Sequence, residues 1–124
     1  MPSMEIKSYS VGTNRRRSSS NYHRRWLSLE PKTPSSEVQH IVVYFFIQER
    51  ITNDPDVGYQ TPDSSKYVVG FAPVSDFEQM YKILQTEKPV FFSWSADSGN
   101  KLYWFSINSS EEPPGEGPQD SNSL

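Results

Sequence analysis

No cysteine occurs among the 124 residues. That excludes a disulfide scaffold, a thiolate zinc site and thiol catalysis. Two histidines cannot supply a three-histidine metal centre. The longest apolar run, residues 41–47, is far short of the ~20 residues a membrane-spanning helix needs. No apolar h-region follows Met1, so no secretory signal is expected. These readings together lead us to expect a soluble, cytoplasmic protein with no membrane partner.

Signatures of catalysis are lacking too. The chain holds no G-x-S-x-G, no G-x-x-x-x-G-K and no H-E-x-x-H. His40 falls inside an apolar run and reads as a structural histidine; His23 falls in a basic segment. Asp54, Asp56 and Gly58 open like a calcium loop, but Ser65 stands where the twelfth-position glutamate belongs. We therefore expect a non-enzymatic protein with no cofactor and no metal.

Against these absences, the aromatic content is high. Hydrophobic residues make up 34% of the chain, yet 3 Trp, 7 Tyr and 7 Phe are among them. The apolar material sits in a few large side chains. Charge is also uneven. Residues 1–50 carry 8 basic and 4 acidic side chains, and residues 51–124 carry 4 and 11, for a net charge of −3.

Residues 4–11 alternate weakly, as a strand would. Residues 22–29 bring Trp26, Leu27 and Leu29 beside Arg24 and Arg25 and form a short strand or a pinned segment. Residues 38–48 are the strongest strand, rich in β-branched and aromatic side chains. Both of its faces are apolar, so it should be a central strand covered on both sides. A further strand runs over 66–72. A Ser75-x-x-Glu78 capping box opens a helix over 76–86, with Val74, Phe77, Met80, Tyr81, Ile83 and Leu84 on one stripe. Residues 89–96 and 101–108 make a hairpin. A two- or four-residue loop would set Trp94 opposite Tyr103 and Phe92 opposite Phe105. The outward face would then carry Phe91, Leu102 and Trp104.

The expected fold class is α+β: a mainly antiparallel sheet of four to five strands with one helix packed on one face. Residues 1–108 are expected to form a single small domain with a flexible Arg/Ser-rich loop at 12–21. Residues 109–124, acidic and rich in Pro and Gly, are expected to be a disordered tail.

One helix cannot cover both sides of such a sheet. The remaining side should be closed by residues 22–29, by a second copy or by another protein. The function this suggests is a protein-binding or adaptor module with an aromatic sheet surface. Its expected partner-binding residues are Phe91, Leu102, Trp104 and Trp26. The alternative is a nucleic-acid or anionic-ligand binder using Arg15, Arg16, Arg17, Arg24 and Arg25. Guanidinium groups suit phosphates, and Tyr22 and Trp26 could stack on bases. Arg16-Arg17-Ser18-Ser19 also fits a basophilic kinase consensus.

Overall fold

A computed structural model describes residues 3–13, 25–46, 56–61 and 66–109. The acidic tail beyond 109, Arg15, Arg16, Arg17 and Arg24 lie outside the described residues. So do Ser18, Ser19 and most of the 12–21 loop. Gly12 and Thr13 do not: they extend the first strand.

Seven strands form one sheet. They are β1 (Ser3–Thr13), β2 (Arg25–Pro31), β3 (His40–Phe46), β4 (Gly58–Gln60), β5 (Tyr67–Pro73), β6 (Phe91–Ala96) and β7 (Leu102–Asn108). A 3-10 turn, Val74–Asp76, leads into the helix α1 (Phe77–Thr86). The spatial order is β4-β5-β3-β2-β1-β6-β7. All neighbours are antiparallel except β3 and β5, which run parallel from His40↔Tyr67 to Phe46↔Pro73.

The sheet nearly closes on itself. Tyr59 of β4 bridges Lys101 at the start of β7. The Gln60 amide donates to the Asn100 carbonyl at 2.8 Å. The Lys101 ammonium lies 3.6 Å from Asp56 Oδ2. Inside this seam, the Trp94 indole N–H donates to Gln60 Oε1 at 3.2 Å.

This overturns the expected fold class. The molecule is not a flat sheet of four or five antiparallel strands roofed by a helix. It is a mixed, seven-stranded, barrel-like sheet. A curled sheet covers one of its own faces, so the inner side of β3 needs no separate lid. Ile41, Val43 and Phe45 of β3 share one core cluster with Phe92, Trp94 and Ile107 from the hairpin and Leu27 and Leu29 from β2. Closure rests on a close approach at Gly70, whose hypothetical Cβ would stand 2.8 Å from Phe105 Cε2.

The helix fills a gap rather than roofing a face. β1 pairs with β6 from Ser3 to Glu5, and the Ile6 amide makes a last bond to the Val90 carbonyl at 2.8 Å; beyond Ile6 it pairs with β2 alone. α1 lies against that released stretch. Tyr81 meets Tyr9 edge to face at 5.9 Å, and Phe77 meets Phe45 at 5.2 Å. Phe77 and Leu84 enter the core. A 3-10 turn that carries Ser75 precedes the α-helix, whose N-cap is Asp76, one residue beyond Ser75.

The hairpin register also differs. Phe92 pairs with Ile107 and Trp94 with Phe105, two residues on from the expected partners. Asp97 explains the shift. Its carboxylate accepts the Gly99 and Lys101 amides at 2.8 and 3.0 Å, and Asn100 takes a left-handed φ of 67°. That makes an odd, bulged loop instead of an even one. A second irregularity between Ser95 and Ala96 leaves Tyr103 without a cross-strand partner. Leu102 then turns inward beside Ala96 and is only 6% exposed.

Candidate functional site

The residues singled out from the sequence do not converge. Leu102 is in the core, a correction that follows from the bulge. Trp104 is on the outer face and 38% exposed. Phe91 is half-buried and pairs with Asn108, four residues along the hairpin from the Ser95–Trp104 pair. Trp26 lies three strands away in the sheet order, its indole lying over Gly12, where any β-carbon would collide with the ring. Arg25 sets its guanidinium 4.4 Å over the Phe77 ring, a packing role against the helix.

A different surface does come together: the outer face of β1, β2, β3, β5 and β4. Strand side chains alternate in direction, and directly paired residues share a face. Three successive rows follow from the register. The first sets Ser8 beside Glu30 and His40 beside Tyr67; one more step of the β2–β3 register places Glu30 opposite His40. The second row is Ser10, Ser28, Val42, Val69 and Tyr59. The third is Gly12, Trp26, Tyr44 and Phe71. Phe46 and Pro73 extend the aromatic end by one more pair.

The face is therefore graded along the strands, with rows about 6–7 Å apart. Its aromatic end is tightly knit. Phe46 and Tyr59 both meet Phe71 edge to face, at 5.5 and 6.0 Å. Val42 and Val69 are buried, yet stand outside the core cluster because they belong to this outer side. Trp26, Tyr44 and Phe46 have further partners in the chain, so the patch is a structured surface rather than loose rings. Burial raises the Tyr44 phenol above its ordinary pKa, and the neighbouring Tyr59 and Tyr67 phenols add to the rise.

The polar end is an open groove of about 370 Å³. Ser8 Oγ donates to Glu30 Oε1 at 2.9 Å. His40 and Tyr67 lie ring against ring at 4.9 Å, tilted by 31°. His40 is thus exposed on a groove wall, not enclosed. Among the described residues no group of three His, Asp or Glu is placed to hold a metal ion. No helix among them is long and apolar enough to cross a membrane.

The sequence carried one signal of this face: the apolar character of both sides of 38–48. Tyr44 and Phe46 looked like residues awaiting a cover. The contributions of Phe71 and Tyr59 could be read only after the parallel β3–β5 pairing and the β4–β5 pairing were known. The chain has no match among protein-family models, curated proteins or solved structures.

Proposed function

We propose that this chain is a non-enzymatic binding module that takes an extended segment of a protein partner across the outer face of β2, β3 and β5. The observation that carries the reading is the aromatic row Trp26–Tyr44–Phe71 with Tyr59 and Phe46 at its side. The barrel already has its core inside, so these rings are not needed to fill it. Large, rigid aromatic side chains are the usual anchors of binding surfaces, because they desolvate much area at little entropic cost.

The charge of the face favours protein over nucleic acid. Among the described residues, Glu30 is the carboxylate that lines the polar groove of this face, and neither lysine nor arginine lines it. A phosphate backbone would meet repulsion there. Of the arginines singled out for the nucleic-acid reading, Arg25 is the one among the described residues; it pairs with Thr13, one position from the Gly12–Trp26 pair.

One experiment weighs both. A random peptide library is panned against the full chain, and selected peptides are titrated into ¹⁵N-labelled protein. Perturbed amides at Tyr44, Val69 and Phe71 are expected, with affinity falling about tenfold in Phe71→Ala or, with less risk to the fold, Tyr59→Ala. Peptides that map only to the hairpin or the helix overturn the reading. So does a ten-nucleotide oligo(U) that perturbs the aromatic row and is released as salt rises.

A further inference from the structure

We infer that the polar groove next to the aromatic row is a subsite for a guanidinium group, the side chain of an arginine on the docked segment. The inference rests on the docking face proposed above and gives that face its specificity.

Three properties of the groove point to this ligand chemistry. The first is charge. Glu30 is the carboxylate lining the groove, and neither lysine nor arginine lines it. Ser8 engages Oε1, and among the described residues Oε2 has no hydrogen bond or ion pair. The carboxylate is thus held in place by one hydroxyl and keeps an oxygen for a ligand. The second is shape. His40 and Tyr67 pack ring against ring at 4.9 Å, tilted by 31°, and Tyr67 is 39% exposed. A planar cation can lie on an exposed ring face of this pair while its edge turns to the carboxylate. The third is the supply of acceptors. Ser10 and Ser28 also line the groove, and their hydroxyls can accept the N–H groups that Glu30 does not.

Arginine meets all three requirements and lysine meets fewer. Guanidinium is planar, weakly hydrated and offers five donors in a fixed fork. Ammonium is a compact charge with no face to stack. The His40–Tyr67 row lies four residues along β3 from the Tyr44–Phe71 row, or about 13 Å. An extended peptide spans that distance between side chains four positions apart. The occupant is therefore an extended segment with an arginine four residues from an aromatic or large aliphatic residue.

The test uses small probes on the full chain. N-acetyl-arginine methylamide and its neutral isostere, N-acetyl-citrulline methylamide, are titrated into ¹⁵N-labelled protein at low salt. The arginine probe is expected to shift the amides of Ser28, Glu30, His40 and Tyr67 saturably. Citrulline should bind about fivefold more weakly, and Glu30→Gln should weaken the arginine probe by a similar factor. Glu30 is exposed, so this variant keeps its fold, and an unchanged spectrum elsewhere verifies that. Equal response to both probes, shifts outside the groove or indifference to Glu30→Gln each overturn the inference. If the arginine probe fails while library peptides still perturb Phe71, the docking face stands and the guanidinium subsite falls. If the arginine probe binds the groove but no peptide reaches Phe71, the groove remains a guanidinium site and the extended-segment reading falls.

Discussion

Phe105 of β7 lies against Gly70 of β5, in the middle of the joint that closes the barrel. These strands are not neighbours in the sheet; short β4 is all that connects them at the seam. A β-carbon at position 70 would stand 2.8 Å from Cε2 and 3.0 Å from Cζ of the Phe105 ring. Gly70→Ala should therefore destabilise the protein by about 1–3 kcal/mol through overpacking. Urea denaturation measures this. Combining the change with Phe105→Leu should recover part of the loss, and an additive double variant would mean that the two side chains do not press on each other.

Leu102 and Trp104 are two positions apart, yet the bulge at Tyr103 sends one inward and leaves the other outside. Leu102→Ala should cost about 2–5 kcal/mol, the usual loss for a truncated core leucine. Trp104→Ala should cost less than Leu102→Ala, because truncating a 38%-exposed ring on the outer face leaves no enclosed cavity. Thermal melts of the two variants report the order directly. Equal losses would restore the even-loop register.

Gln60 ties β4 to the barrel interior by accepting the Trp94 indole proton. Trp94 is 3% exposed. Gln60→Leu leaves that N–H without its acceptor and should cost about 1–3 kcal/mol. The cost should shrink in a Trp94→Phe background, which has no donor to strand. A double-mutant cycle in urea measures the coupling; a value near zero would remove this bond from the list of seam contacts.

Tyr44 holds its proton more tightly in the folded chain than in the unfolded one, first because of burial and then because of the phenols of Tyr59 and Tyr67. The sign follows from linkage. Below the ordinary pKa of 10.0 both states are protonated and stability is undiminished. As pH rises from there through the higher folded value, the unfolded chain loses its proton first and stability drops. Tyr44→Phe should flatten part of that alkaline decline. Urea melts at several pH values between neutral and strongly alkaline would show it, and an unchanged slope would place Tyr44 in open water.

Local pattern made some elements readable and others not. The residues of α1 were evident from apolar spacing, because a helix is a local structure whose period shows in one window. β3 was evident from its run of Val, Tyr and Phe. Curvature was not, since it depends on partners far apart in the chain: β3 finds β5 in parallel, and residues 58–60 find 100–101. The hairpin shows how small a cause can misdirect a reading. One carboxylate, that of Asp97, collects two amides and changes the loop from even to odd. The register then moves, and Leu102 changes sides. The candidate site was missed for a related reason. Apolar residues on both faces of β3 implied a missing cover, and closure of the sheet supplied it for one face only.

The rows on the outer face run from hydroxyl and carboxylate through small aliphatics to rings. A surface that changes character steadily along one axis distinguishes head from tail. Whatever lies along β3 meets a different chemistry at each end, so the face imposes a heading on its ligand as well as a grip. A uniform greasy patch of the same area would bind a chain equally well in either sense.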